Sequence, residues 1–215
     1  MSQALLSSTY FGPVQWYQKL YRYDKVQVEA CDNFIKQTYR CVIAAANGLQ
    51  ALTVPVERMA DDNMDSNGAQ PGKCLMKDIR ISDHGNWRHL HWNALTSAYG
   101  ESPFFEFYAN DIRPFFERKW TFLYDFNAEI CAKMCELIGL EPAIEPTTEY
   151  LPADSPALAG IHDYRDAIRP KHPAEDGTFT PRRYYQVYER KYGFSPNLSI
   201  LDLLFNMGNE SLLYL

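Results

Sequence analysis

The amino-acid sequence predicts an α+β or mixed α/β fold organised as a single domain, with N-terminal strands and a hairpin packed against several helices. Three observations carry that prediction. Short β-type runs crowd the first quarter of the chain and helical periodicity follows them, an order that suits segregated layers better than regular alternation. Asn47-Gly48 separates two strand-like runs, and its tolerance of positive φ suits a tight hairpin turn. With 215 residues, 46% of them hydrophobic and 22% charged, the chain can bury a substantial core as one domain over residues 1–215.

Taken in order, residues 3–8 read as a short strand, and Pro13 after Tyr10-Phe11-Gly12 fits the first turn of a helix. Val14, Tyr17, Leu20 and Tyr21 then share one helical face. Residues 25–29 alternate Val26 and Val28 with polar neighbours, as a strand does. The hairpin arms span residues 38–46 and 49–56. Residues 57–73 are rich in Asp, Asn, Gly and Pro and read as an exposed mobile loop. A short strand is expected at 76–81, a helix at 83–99, an aromatic stretch at 104–116 with a helical turn or two after Asp111, and a helix at 126–138 stopped by Gly139. Residues 147–151 read as a strand, and 152–183 as a second long loop of functional or mobile character. Ser199 reads as the cap of a last helix, with Asp202 as its capping-box partner and Leu201, Leu204 and Phe205 facing inward.

Composition narrows the function. The net charge of -6 and the scattered Lys and Arg lack the basic stripe of a nucleic-acid binder, so no nucleic-acid partner is expected. No apolar run is long enough to span a bilayer, which excludes membrane insertion by a helix. The N-terminus shows neither a basic segment nor an apolar core of the secretory kind. Five cysteines without paired metal-type spacing read as reduced thiols, and cytoplasmic residence is the expectation. No Gly-rich nucleotide loop, dinucleotide fingerprint or nucleophile elbow is present, so no cofactor can be assigned.

On the 83–99 helix, Trp87, His91, Ala94, Leu95 and Ala98 fall on one stripe and His89 on the opposite side. His91 is therefore either a core histidine satisfied by a carbonyl or by Tyr99, or a general base beneath Trp87. His84, in the entry turn Asp83-His84-Gly85-Asn86, could join His91 at a metal, but no third ligand is evident. Lys36, Thr38 and Arg40 share one strand face, so the two cations form either a solvated face or a clamp for a phosphate or carboxylate. Tyr10 and Gln15 are polar groups suited to the mouth of a cleft. Cys131 and Cys135 lie on a core stripe. Cys41, next to Arg40, is a candidate low-pKa thiol. Asp125 is first an N-terminal cap and second an acid/base group. Asp202 and Asn206, one turn apart, either cap and pack or present a carboxylate and an amide to one ligand. Gln186 either contacts a ligand hydroxyl or is a structurally paired amide.

Several of these stretches resemble the WbqC-like family, proteins of bacterial surface-polysaccharide gene clusters. The resemblance is carried by residues 184–208, by Trp87, His91 and Tyr99 followed by Ser102-Pro103-Phe104, by Lys36 and Arg40 with Ile43, by residues 10–20, and by Asp125-Phe126-Asn127. The chain departs from the family where Leu6, Ser7 and Ser8 stand in place of a His-Gln-Pro before the tyrosine. The resemblance implies a role in O-antigen-type polysaccharide biosynthesis, as a transferase acting on an activated sugar or related metabolite. His91 and Asp202 would be catalytic, and Tyr10, Lys36, Arg40, Trp87, Tyr99, Gln186 and Asn206 would bind substrate. The alternative is a non-catalytic ligand-binding or scaffold protein of the same pathway. Convergence of Tyr10, Arg40, His91 and Asp202 on one pocket would favour the first, and dispersal into core and caps the second.

Overall fold

The computed structural model describes residues 1–34, 40–57 and 74–215. Its strands are β1 (Gln3–Ser7), β2 (Lys25–Glu29), β3 (Cys41–Ala45), β4 (Gly48–Leu52), β5 (Ile144–Pro146) and β6 (Ile161–Asp163). Its helices are α1 (Val14–Arg22), α2 (Trp87–Tyr99), α3 (Phe105–Ile112), α4 (Pro114–Glu117), α5 (Leu123–Ile138), α6 (Glu189–Tyr192) and α7 (Ile200–Met207). Ala4, Leu5 and Leu6 are all fully buried, as a strand covered on both faces must be. That strand, β1, lies inside a four-stranded parallel sheet ordered β5-β2-β1-β6. Parallel neighbours need a crossover, and α1 supplies it between β1 and β2. The mixed α/β expectation holds, and buried apolar side chains from β1 to α7 form one contiguous core.

The antiparallel hairpin β3–β4 stands apart as a second sheet. Its turn residues are Ala46 and Asn47, one position earlier than expected, because Gly48 opens β4 at φ 107 and absorbs the positive torsion there. The hairpin is tied to α7 where the Ser199 amide donates to the Val42 carbonyl at 2.8 Å. Residues Ile200 to Asn206 are all buried, so α7 is a core helix rather than a surface one.

Several elements differ from the sequence reading. Residues 76–81 hold a 3-10 turn at Met76–Asp78 and isolated bridges at Arg80 and Ile81 in place of a strand. Met76, Ile79 and Ile81 are indeed buried, but among the described residues this segment pairs only through isolated bridges. The strand expected at 147–151 lies earlier, at β5. The Thr147 hydroxyl is instead committed to Glu29 Oε1 at 2.7 Å, a carboxylate that also receives the Cys31 amide and Arg165 Nη1 and so binds the carboxyl ends of β2 and β5 to the chain after β6. The region read as a loop from 152 to 183 contains β6, a three-residue edge strand too short and too polar to show alternation. Helix α3 begins before Asp111. Helix α2 begins at Trp87, since His84–Asn86 form a 3-10 turn and Asn86 takes φ 48. Tyr21 is exposed rather than part of the apolar face of α1, whereas Gln15, Gln18 and Lys19 are buried. The cause is residues 176–178, which cover the polar side of α1 and accept from Gln15, Gln18, Lys19 and Arg22. Residues 57–73 lie outside the described residues apart from Glu57.

Candidate functional site

The strand order places a reversal of connection between β1 and β6, since the chain runs outward from β1 through β2 to β5 and returns to pair with β1 on its other edge. In open parallel sheets the crevice beyond the carboxyl ends of such a strand pair is where ligands bind. Here it is bounded on one side by the turn from β1 into α1 and on the other by residues 167–179, with β3 and the start of α7 closing it. The crevice is a cavity of about 290 Å³ lined by Thr9, Gln15, Arg40, Asp176, Asn197 and Ser199, with apolar walls that include Ile168, Pro170, Pro173 and Phe179. Gly12 allows the β1–α1 turn to close this tightly, because a Cβ there would stand 2.3 Å from Thr9 Oγ1.

One side of the cavity is electrostatically finished. Asp176 Oδ2 is 2.6 Å from Lys19 Nζ and 2.8 Å from Gln15 Nε2, and Asp176 Oδ1 receives the amide and hydroxyl of Thr178. Burial alone would raise this carboxyl, but the bonds from Lys19, Thr178 and Gln15 outweigh it and hold the pKa at about 2. Gln15 is locked to Asn197 twice, through its amide N–H to Asn197 Oδ1 and through its Oε1 from Asn197 Nδ2, each at 2.9 Å. Arg169 is paired with Asp166 at 2.8 Å.

The other side is not finished. Arg40 makes no ion pair or hydrogen bond to any described residue, and its Nε is enclosed without a partner. The helix ends beside it have nothing to offer an anion. In α1 the amides of Val14, Gln15 and Trp16 go to Leu198, Asn197 and Pro13, and in α7 those of Ile200, Leu201 and Asp202 go to Gly12 and Ser199. Among the described residues, recognition of negative charge here therefore falls to a guanidinium.

The remaining sequence-derived candidates form two clusters away from this cavity. Tyr10, Trp87 and His91 make one: the Tyr10 hydroxyl is 3.0 Å from His91 Nδ1, Trp87 meets His91 edge-on at 5.1 Å, and Tyr10 stacks on Phe126. Burial pushes the His91 imidazole down to about 4, so it is neutral near pH 7. Asp202 anchors the other. Tyr99 donates to its Oδ1 at 2.7 Å, and Tyr184 and Gln186 donate to its Oδ2 at 2.7 and 3.0 Å. Burial raises this carboxyl, and those three hydrogen bonds oppose the rise. Asp202 is thus not the capping-box partner of Ser199, whose hydroxyl alone accepts the Leu201 amide. Asn206 turns its Nδ2 to the Asp202 carbonyl. Gln186 also brackets Ser195, donating to its carbonyl and accepting from its amide. The structure thus brings Arg40 and Gln15 to the cavity, places Tyr10 with His91 and Trp87, and groups Tyr99, Gln186 and Asn206 around Asp202. Lys36 lies outside the described residues.

The thiol expectation for Cys41 is overturned. Its side chain is fully buried, and burial, opposed by a bond from Ser199 and reinforced by Asp202, pushes it up to about 12. Asp125 sits in the first turn of α5 rather than at its cap, which is Phe122. Among the described residues no group of three or more His, Cys, Asp or Glu is placed to hold a metal ion, and no helix is long and apolar enough to cross a membrane. Sequence reasoning missed Lys19, Asp176 and Asn197. A lysine inside the Trp16-Tyr17-Leu20 stripe was the available signal for the first. The Asp-Gly-Thr turn at 176–178 was the signal for the second.

Comparison with known proteins gives a family and no reaction. The chain is 26% identical to "Uncharacterized protein Rv1507c" of Mycobacterium tuberculosis, in an alignment covering 96% of this chain and 91% of that protein. No solved structure matches it. The family model described as "WbqC-like protein family" matches residues 8–169, a span that includes the β1–α1 turn, Arg40, α2 and β6. The chain therefore belongs to the WbqC-like protein family.

Proposed function

We propose that this protein binds an anionic sugar metabolite of surface-polysaccharide biosynthesis in the cavity beside Arg40, and that it serves as a transferase whose other substrate is an activated sugar. The observation that carries the binding part is a guanidinium without an acidic partner among the described residues, lining a cavity at the carboxyl edge of a parallel sheet. An unpaired cation at such a place is an anion receptor by its chemistry. The family's association with polysaccharide clusters supports the sugar class. His91 is the candidate base, as a neutral imidazole whose Nε2 bonds no described residue. It does not line the cavity, and that separation favours the second reading, a ligand-binding protein without catalysis.

Mass spectrometry of small molecules retained by the purified protein tests the binding claim. An anionic sugar compound should accompany the wild type and be lost from Arg40→Met. The same retained set in both proteins would contradict it. In a reconstituted transfer assay, His91→Ala should abolish turnover while leaving retention intact if the transferase reading holds.

A further inference from the structure

We infer that the group seated beside Arg40 is a sugar acid, a single monosaccharide-sized body carrying one carboxylate, rather than a sugar phosphate or a nucleotide sugar. The inference rests on the Arg40 cavity being the binding site, and it assigns the cavity to an acceptor-like sugar and not to a nucleotide-bearing donor.

Size is the first argument. A cavity of about 290 Å³ stands at the lower end of small-molecule pockets, which run from roughly 300 to 1,000 Å³. A pyranose with one acidic substituent suits that space, whereas a nucleotide sugar adds a diphosphate and a nucleoside that the cavity would not enclose.

Charge is the second. Asp176 is cancelled by Lys19 at 2.6 Å and Arg169 by Asp166 at 2.8 Å, which leaves Arg40 as the one unbalanced charge among the described lining residues. One guanidinium neutralises one monoanion. A phosphate monoester would bring close to two negative charges, and among the described lining residues only the Arg40 guanidinium is free to meet them. Within the guanidinium, Nε is enclosed while the two Nη nitrogens are neither enclosed nor bonded. Arg40 therefore offers its end-on edge, two N–H groups whose spacing matches the two oxygens of a carboxylate.

The hydrogen-bonding pattern is the third. Gln15 Nε2 spends one hydrogen on Asp176 and Asn197 Nδ2 spends one on Gln15, so each amide keeps a second N–H in a fixed orientation. The oxygens of Asp176 are already filled by four donors. The cavity thus supplies donors and asks for acceptor oxygens, which the hydroxyl and ring oxygens of a sugar provide, while Phe179 and Pro173 present apolar surface to its C–H faces.

Isothermal titration of the full chain with sodium glucuronate, glucose 1-phosphate, UDP-glucose and glucose tests this. Glucuronate should bind at least about tenfold more tightly than the other three. Arg40→Met should weaken glucuronate by about thirtyfold or more and leave glucose unchanged. Arg40→Lys, which keeps the charge and loses the fork, should recover only a small part. Tighter binding of glucose 1-phosphate or UDP-glucose, still dependent on Arg40, would overturn the sugar-acid assignment and leave the cavity as an anion site. Glucuronate binding indifferent to Arg40→Met would overturn the site itself. No binding of any probe at millimolar concentration would overturn the sugar-acid assignment. The urea midpoint of each variant, measured alongside, confirms that a lost signal is not lost folding.

Discussion

The chain holds two dense groups of polar side chains, one around Asp202 and one running from Asp176 to Arg40, and they are completed in opposite ways. At Asp202 both carboxylate oxygens are met by neutral donors from Tyr99, Tyr184 and Gln186, and the group is sealed between α2, α7 and the chain before α6. Along the cavity, Asp176 is saturated by Lys19, Gln15 and Thr178, yet Arg40 is left with no partner among the described residues. Both groups contain buried polar residues, Asp202 and Gln186 in the first and Gln15 and Lys19 in the second. What separates a structural network from a binding surface is unmet hydrogen-bonding capacity beside a cavity, and that is a property of the folded state.

Four perturbations would break or sharpen this contrast. The largest effect is expected at Lys19, whose ammonium is fully buried against Asp176. Lys19→Met leaves a buried carboxylate without its cation and should cost about 3–5 kcal/mol in urea unfolding; a loss under 1 kcal/mol would show that the pair is not the clasp holding residues 176–178 on α1. Next, Asp202→Ala strands three donors and should cost about 2–4 kcal/mol, with Asp202→Asn recovering most of it and neither change altering ligand binding beyond what lost folding explains.

Third is pH. The His91 pKa is about 4 in the folded chain against 6.5 as its ordinary value, so the unfolded chain binds the proton more readily. Stability from this group is complete above about pH 6.5 and is lost as pH falls toward 4, by up to roughly 3 kcal/mol. His91→Gln should flatten the stability curve across that window; an unchanged slope would mean that the imidazole is not held neutral by burial. The smallest effect on folding is expected at Arg40→Met, which removes an enclosed N–H that has no partner and should leave the urea midpoint unchanged or slightly raised.

Much of the fold was legible where local physics decides it. β1, β2, the hairpin and the helices beginning near Trp87 and Leu123 announce themselves through alternation, turn residues or a 3.6-residue stripe. The sheet order was not legible, because β5 and β6 are three residues long and their pairing is set by tertiary contacts. At the candidate site, Arg40 and Gln15 could be named from residue type and position. Asp202 was noticed for its place after Ser199, but no local pattern reveals that Tyr99 and Tyr184, 103 and 18 residues away, converge on it. Lys19 and Asp176 were hidden for the same reason. A lysine on a helix reads as solvated until a segment more than 150 residues later is seen to cover it.

The most direct test of the account compares the thermal shift that sodium glucuronate produces in the wild type, Arg40→Met and Asp202→Asn. The account predicts that the shift persists in Asp202→Asn and vanishes in Arg40→Met, although Arg40→Met alone unfolds like the wild type. A shift retained in Arg40→Met, or one lost only when Asp202 is changed, would contradict it and move the binding surface to the sealed network around α7.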